Sequence, residues 1–253
     1  MSARSPKDRF ITVYGRKPVL EALADPRLTV DKVIAAENAR GDSLSKILTA
    51  ARERGVPVQR ASAHRVKVLA GNGHHDQGVL ADVVAPAMRP VADFLAELPP
   101  EAPCALLVLD AVTNPANVGM VLRTATAAGL DGVLVPRRGV PAIDPLVIKA
   151  SAGVAFRAPV VRASTAAQGC AELRAAGIAV LGLAAGARRD LLSDPLPPRL
   201  ALVLGNETDG LSADVRAELT GTAAIPLHGG VESLNVASAA AVAAYELMRH
   251  RNP

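Results

Sequence analysis

CALLVLDAVTNPANVGMVLRTATAAGLDGVLVP (residues 104–136) places a helical pattern between two short apolar runs. Further apolar runs follow in the segments PVVR, IAVLGL, LALVLG and AAIPL. Such alternation predicts a mostly parallel sheet that helices cover on both faces, because strands buried on both sides read as continuous apolar runs. Residues 104–253 are therefore expected to form a doubly wound α/β domain, whose ligands bind where the carboxyl ends of the strands meet the loops.

The first 85 residues show a smaller α/β pattern. After a polar lead-in, helical patterns in GRKPVLEALAD, SLSKILTAARERG and HRVKVLAG alternate with the strand-like segments VDKVIAAE, VPVQRA and GVLADVV. These segments predict a small α/β domain over residues 1–85. Residues 86–103 contain five prolines and are expected to form a linker around a short amphipathic helix.

The positive charge is concentrated in the first domain. Residues 1–85 carry fourteen Lys and Arg against nine Asp and Glu, whereas residues 86–253 carry fourteen against fifteen. A basic domain beside a near-neutral one favours polyanion binding, although a solvated charged surface would give the same counts. With two Tyr, three Phe and no Trp, the chain offers few stacking platforms for single-stranded bases. Structured RNA or DNA is therefore the expected partner.

Composition disfavours several classes of protein. The two cysteines, Cys104 and Cys170, lie far apart and outside any zinc-ligand spacing, so neither a disulfide nor a metal site is expected. No stretch approaches the roughly 18 apolar residues of a membrane span, and the basic start lacks the apolar core of a secretory signal. We therefore expect a cytoplasmic protein with neither a membrane segment nor a metal ion.

Three segments of the second domain place polar residues where strands are expected to end. In NPANVGMVLRTATAAG, Asn117 stands where a helix N-cap is expected, and Arg123 lies off the apolar stripe, near the predicted ligand crevice. In LALVLGNETDG, a strand leads to Gly205, whose missing side chain lets a ligand or another backbone approach closely. Asn206 and Glu207 follow at once.

The third segment is AAIPLHGGVESLN. A strand is expected to end in Ile225-Pro226-Leu227, and Ser233 and Asn235 stand at the head of an Ala-rich helix. Each polar residue in the three segments could instead be only a cap or a turn former. No Walker lysine pattern and no GxGxxG sequence occurs, which disfavours a phosphate loop and a dinucleotide site.

Together, the three segments resemble the signature motifs of the SpoU (TrmH) family of RNA ribose 2′-O-methyltransferases, within the SPOUT superfamily. The likeness covers roughly Leu106 to Leu247. Its residues are Asn117, Gly119, Arg123 and Ala125 in the first motif, Leu204, Gly205, Asn206 and Glu207 in the second, and Ile225, Pro226, Leu227 and Ser233 to Val236 in the third. The resemblance implies a deep trefoil knot, a homodimer, and S-adenosylmethionine (SAM) as the cofactor.

The resemblance also implies roles for individual residues. The cofactor is expected against Leu204, Gly205, Asn206, Ile225, Pro226, Leu227, Leu234 and Asn235. Arg123 is expected to activate the ribose hydroxyl, with Asn117, Glu207, Ser233 and Asn235 holding the reacting groups in register. A guanidinium normally keeps its proton, with a pKa above ~12, so Arg123 could instead pin a phosphate or stabilise the developing alkoxide.

The first domain is similar to the L30e-like substrate-binding extension of the ribosomal-RNA members of that family. The opening VYGRKPVLEAL and the phrase His75-Asp76-Gln77-Gly78-Val79 carry this looser likeness. It implies RNA binding by Arg16, Lys17, His75 and Gln77. Either His74 or His75 could occupy the family position.

The resulting prediction is SAM-dependent 2′-O-methylation of a ribose in ribosomal RNA, with a guanosine of 23S RNA favoured. A transfer-RNA methyltransferase and a ribosome-directed antibiotic-resistance methylase remain alternatives with the same chemistry. An RNA-binding ribosome-assembly factor could dispense with Arg123 and Glu207, yet both are present. An ordinary Rossmann-type enzyme would need a glycine-rich first turn, whereas DAVTNPANVG contains a single glycine.

Overall fold

The computed structural model describes residues 8–71 and 76–251. The chain divides into two compact units, each with its own β-sheet. The first unit ends at Pro86 and also takes in Ile143–Pro145. The second comprises Ala87–Ala142 and the chain from Leu146 onward.

The first unit contains a four-stranded mixed sheet. In chain order its elements are β1 (Phe10–Tyr14), α1 (Arg16–Ala24), β2 (Val30–Ala36), α2 (Asp42–Glu53), β3 (Val58–Ala61), α3 (Ala63–Ala70) and β4 (Val79–Val84). The sheet order is β1-β4-β2-β3, with β4 antiparallel to both of its neighbours and β2 parallel to β3. Strand β1 corrects the expectation of a polar lead-in, because Ile11 and Val13 alternate into the core along this segment.

The second unit contains an eight-stranded sheet in the order β10-β12-β9-β11-β6-β7-β8-β5. In chain order its elements are β5 (Arg89–Pro90), α4 (Val91–Glu97), β6 (Cys104–Leu109), α5 (Pro115–Ala127), β7 (Gly132–Leu134), α6 (Pro145–Ala150), a 3-10 turn (Val154–Phe156), β8 (Val160–Arg162), α7 (Ala166–Ala175), β9 (Ala179–Leu183), β10 (Arg189–Asp190), β11 (Arg199–Leu204), α8 (Ala213–Arg216), β12 (Gly221–Ala224) and α9 (Val236–Arg251). Every pairing described in this sheet is parallel, which confirms the mostly parallel sheet predicted from the apolar runs.

The strand predicted to end at Leu227 is shorter than expected. Strand β12 stops at Ala224, and Ile225-Pro226-Leu227 continues as a loop. Proline has no backbone N–H to donate to a neighbouring strand, so the ladder cannot run through Pro226. The loop is therefore free to approach a ligand.

The proline-rich residues 86–103 form part of the second unit. Strand β5 adds in parallel to β8 at the edge of the sheet. The predicted short helix is present as α4, and its side chains Val91 and Phe94 are buried in a core cluster with Leu134 and Leu173. The segment consequently packs on the sheet.

Both cysteines are buried and free. Burial raises the pKa of the Cys170 thiol to about 12, and it also raises the pKa of Cys104. A thiol with a raised pKa is a poor nucleophile at neutral pH, because the thiolate is the reactive form. These residues act as small apolar core side chains.

Two general properties bear on function. Among residues 8–71 and 76–251, no helix has the length and apolar character needed to cross a membrane. Over the same residues, no group of three or more His, Cys, Asp and Glu side chains is arranged to hold a metal ion.

Candidate active site

A cavity of about 420 Å³ lies at the carboxyl ends of β9, β11 and β12. Open α/β sheets bind ligands at this edge, because the loops that follow the strands leave a crevice there. The lining consists of Leu183–Ala185, Leu204–Leu211, Arg216, Ile225, Leu227, Glu232–Leu234, Val236 and Ala239. The second and third sequence motifs thus meet in one cavity.

The loop after β11 closes as a tight turn. Asn206 and Gly210 exchange two backbone hydrogen bonds, of 2.9 and 3.0 Å. A Cβ atom on Gly205 would lie 2.5 Å from the carbonyl carbon of Gly210, which leaves no space for a side chain. Of the two alternatives for Gly205, the close approach of another backbone is the one observed.

The side chain of Asn206 organises this loop. Its Oδ1 atom accepts hydrogen bonds from the backbone N–H groups of Thr208 at 2.8 Å and Asp209 at 3.2 Å. Its Nδ2 atom donates to the carbonyl of Ala111 at 2.9 Å. Because Ala111 follows β6, this amide ties together the loops at the ends of two adjacent strands.

Asn117, Glu207 and Asn235 form a continuous hydrogen-bonded chain. The Nδ2 atom of Asn117 donates to Oε1 of Glu207, and its Oδ1 atom accepts from Nδ2 of Asn235 at 3.3 Å. The Oδ1 atom of Asn235 in turn accepts from the backbone N–H of Ala237, at 2.9 Å, in the first turn of α9. Asn117 is only 3% exposed, whereas Glu207 lines the cavity. One residue from each of the three motifs thus joins a hydrogen-bonded chain that reaches the cavity through Glu207.

Asn117 does not cap helix α5, contrary to the prediction. The helix begins at Pro115, and the Oδ1 atom of Asn114 accepts from the N–H of Ala116 at 2.9 Å. Proline is favoured in the first turn of a helix, where its missing N–H costs no hydrogen bond. The helix therefore starts earlier than expected, and the side chain of Asn117 is available for Glu207.

Arg123 lies outside the lining of the cavity. It is exposed and makes no hydrogen bond or ion pair with the residues that the structure describes. Compared with Asn117, it stands about 9 Å further along α5 and about 120° around the helix axis. The sequence predicted a position near the ligand crevice, but a helix that begins at Pro115 places Arg123 in its third turn, outside the lining of the cavity.

Some of the predicted cofactor residues line the cavity and others do not. Leu204, Gly205, Asn206, Ile225, Leu227 and Leu234 line the cavity, together with the predicted catalytic residue Ser233. Pro226 and Asn235 do not line it. Asn235 is linked through Asn117 to Glu207 of the cavity lining.

Several residues of the cavity were not predicted from the sequence. Asp209, Glu232 and Arg216 add charge to the lining beside Glu207. The Nε atom of Arg216 donates to the carbonyl of Leu211 at 2.8 Å, which holds the guanidinium at the cavity. Leu183, Ala184 and Ala185 were also missed, although they lie at the end of a predicted strand, where open α/β sheets bind ligands.

In the first unit, the structure brings two predicted RNA-binding residues together. The backbone N–H of Arg16 donates to Oε1 of Gln77 at 3.0 Å, and its Nε atom donates to the Gln77 carbonyl at 3.5 Å. Lys17 is exposed and lies 3.9 Å from the carboxylate of Glu21. His74 and His75 lie outside the described residues.

Comparison with known proteins gives the same two-part organisation. Residues 105–245 match the SpoU rRNA Methylase family, and residues 12–88 match a domain described as RNA 2′-O ribose methyltransferase substrate binding. The chain is 33% identical over 240 residues to the 23S rRNA (guanosine-2′-O-)-methyltransferase RlmB of Xanthomonas axonopodis, with 94% of this chain and 96% of that protein covered. It is 34% identical over 240 residues to the RlmB of Ralstonia nicotianae, with 95% and 96% covered.

Solved structures share the fold over most of the chain. A TrmH-family protein from Porphyromonas gingivalis superposes with a TM-score of 0.62 at 29% identity, over 96% of this chain and 90% of that one. An rRNA methyltransferase from Sinorhizobium meliloti with bound SAM gives a TM-score of 0.63 at 23% identity, over 96% and 88%. At 23% identity, the likeness to the Sinorhizobium meliloti structure shows a shared fold alone.

Proposed function

This chain belongs to the SpoU rRNA methylase family, and we propose that it methylates a ribose 2′-hydroxyl of ribosomal RNA with SAM as the methyl donor. The observation that carries the proposal is the hydrogen-bonded chain of Asn117, Glu207 and Asn235, in which Glu207 lines the cavity. Two relatives are named as methyltransferases of a guanosine in 23S RNA, so we favour that target. A ribosomal substrate would place the protein in the cytoplasm.

The cavity lining fits the chemical groups of SAM. Apolar side chains such as Leu227 and Leu234 can pack against the faces of the adenine ring, and backbone groups of the loops can form hydrogen bonds with its edge. The carboxylates of Asp209 and Glu232 suit the ammonium group, and Arg216 suits the carboxylate. When bound, SAM supplies an electrophilic methyl group on a sulfonium.

The chain's own residues must align the ribose and stabilise its oxygen. Methyl transfer is an in-line displacement, so the 2′-oxygen has to be held opposite the leaving sulfur. Glu207, held by Asn117, presents an acceptor for a ribose hydroxyl, and Ser233 adds a second polar group. A guanidinium would stabilise the negative charge that develops on the oxygen, and we assign this role to Arg123.

Arg123 lies outside the cavity of its own chain, so its assigned role requires the cavity of a second chain. It shares the exposed face of α5 with Met120, which is 40% exposed, and the adjoining helix α9 exposes Tyr245 at 49%. Large apolar side chains exposed on adjoining helices favour association with a symmetric copy. We propose a homodimer through this face, in which Arg123 of one chain serves the cavity of the other.

Methyl transfer tests the proposed function. The protein and labelled SAM are incubated with unmodified ribosomal RNA and, separately, with transfer RNA. Label in ribosomal RNA supports the proposal, whereas label in transfer RNA alone overturns the substrate and keeps the chemistry. No transfer to either RNA, despite SAM binding by calorimetry, would favour a ribosome-assembly factor.

A further inference from the structure

A second cavity, of about 360 Å³, opens in the first unit. We call it the arginine cleft. Its lining comes from the loop between β2 and α2, from α2 itself and from β3, and consists of Glu37, Ala39, Arg40, Gly41, Leu44, Ser45, Leu48 and Arg60. The residues that carry the family likeness in this unit, Arg16, Lys17 and Gln77, are not among them.

Backbone carbonyls hold the guanidinium groups of the arginine cleft in place. The Nη1 atom of Arg40 donates to the carbonyls of Glu37 and Ala39, the latter at 2.8 Å. The Nη1 atom of Arg60 donates to the carbonyl of Ala36 at 3.2 Å. Because a guanidinium has five N–H donors on three nitrogens, each arginine keeps donors for a ligand. A side chain that is already held also loses less entropy when it binds.

Arg16 connects the arginine cleft to Gln77. Its Nη2 atom donates to the carbonyl of Arg40 at 2.8 Å, while its Nε atom donates to the carbonyl of Gln77. Gly41, with φ +109°, packs so closely that a Cβ atom there would lie 3.3 Å from Nη1 of Arg16. Arg16 and Gln77, two of the predicted RNA-binding residues, are therefore continuous with the cleft.

The cleft also contains features that a phosphate alone would not need. Leu44 is buried and Leu48 half-buried, so part of the wall is apolar. Glu37 is exposed, and its carboxylate makes no ion pair or hydrogen bond with the described residues. An apolar surface suits the face of a nucleobase, and a free carboxylate suits the N–H donors on its edge.

From this arrangement we infer that the arginine cleft binds one unstacked nucleotide of the RNA substrate. Arg40 and Arg60 contact its phosphate, Leu48 packs against the base, and Glu37 accepts a hydrogen bond from the base edge. The identification of the ligand as RNA rests on the proposed function. Specific RNA recognition commonly uses unstacked bases in loops and bulges, whose edges are accessible.

RNA affinity of the full chain tests the inference, with a fluorescent unmodified 23S ribosomal RNA transcript as the probe. Arg40→Gln and Arg60→Gln are each expected to weaken binding about 5- to 10-fold at 0.1 M salt and to reduce the salt dependence by about one released ion. Glu37→Gln and Leu48→Ala should weaken binding about threefold with the salt dependence unchanged. Arg65→Gln, an exposed arginine of α3 outside the cleft, is the matched control and should bind as wild type.

Each contrary result has a distinct meaning. An equal loss in Arg65→Gln would reduce the effect to general charge and overturn the cleft. Losses in the arginine variants with full affinity in Glu37→Gln and Leu48→Ala would overturn the nucleotide and leave a phosphate contact. Wild-type protein that transfers no methyl group, while the cleft variants still lose RNA affinity, would refute the proposed function and leave the cleft standing.

Discussion

Nδ2 of Asn117 donates a hydrogen bond to Oε1 of Glu207, and this contact joins helix α5 to a loop that lies 90 residues further along the chain. Asn117 is buried and therefore fixed, whereas Glu207 is exposed at the cavity. The position of the Glu207 carboxylate at the cavity is thus set by a buried amide that does not itself line the cavity.

Replacing Asn117 by Ala should lower turnover more than it lowers SAM affinity, because Glu207 loses the donor that orients it while the cavity walls remain. We expect kcat to fall about tenfold or more, and the free energy of unfolding to fall by about 1–2 kcal/mol from the lost buried hydrogen bonds. Steady-state kinetics, calorimetry with SAM and denaturant unfolding measure the three quantities. An unchanged kcat would show that the Asn117–Glu207 bond is only structural.

Gly205→Ala should destabilise the second unit and abolish SAM binding. The new Cβ atom would lie 2.5 Å from backbone of Gly210, which has no flexible side chain to move aside, so the loop must shift. Overpacking of this kind costs about 1–3 kcal/mol. Gly221→Ala is the control, because its Cβ atom would meet only the end of the Leu181 side chain, at 3.2 Å. SAM binding at wild-type affinity in Gly205→Ala would argue against the loop as a wall of the cofactor site.

Arg216→Ala should weaken the binding of SAM about tenfold, because the carboxylate of the cofactor loses its cationic partner. The binding of 5′-methylthioadenosine, which lacks that carboxylate, should not change. Calorimetry with both ligands separates the two effects. Arg174→Ala is a matched control, since Arg174 pairs with Glu218 outside the cavity. Equal losses for both ligands would mean that Arg216 supports the loop without binding the carboxylate.

Mixed dimers test whether Arg123 acts across an interface. Arg123→Ala and Glu207→Ala chains should each be inactive alone. If Arg123 serves the cavity of the other chain, random mixing of the two variants restores one intact site per heterodimer, and about a quarter of wild-type activity returns. Size-exclusion chromatography confirms that the dimer persists in each variant. A mixture that stays inactive despite subunit exchange would place Arg123 in its own chain's site, whereas an active Arg123→Ala chain would place it outside the reaction.

Much of the second unit could be predicted from the sequence because its central strands are buried on both faces. All six residues of β6 are buried, and such strands read as unbroken apolar runs. Strand β1 was missed because it has only five residues and follows a charged start of the chain. The start of α5 was predicted wrongly, because Asn117 was taken as the N-cap and the cap is Asn114. Pro115, which is favoured in the first turn of a helix, points to Asn114.

The candidate site was predictable where a residue belonged to one of the three family motifs. Gly205, Ile225 and Leu227 satisfy that condition and line the cavity. Arg216 ends a helix of four residues, which has no detectable period, so no sequence pattern pointed to it. The partnership of Asn117 with Glu207 joins distant segments, and only the folded chain brings them together.

The proposed function requires that this cavity direct methyl transfer to one ribose of ribosomal RNA. The most direct measurement is to map the modified nucleotide in an unmodified 23S transcript after incubation with SAM, by the resistance of a 2′-O-methylated ribose to alkaline cleavage. We predict a single protected guanosine with wild-type protein and no protection with Glu207→Ala. No protected position with wild-type protein, or the same protected position with Glu207→Ala, would contradict the account.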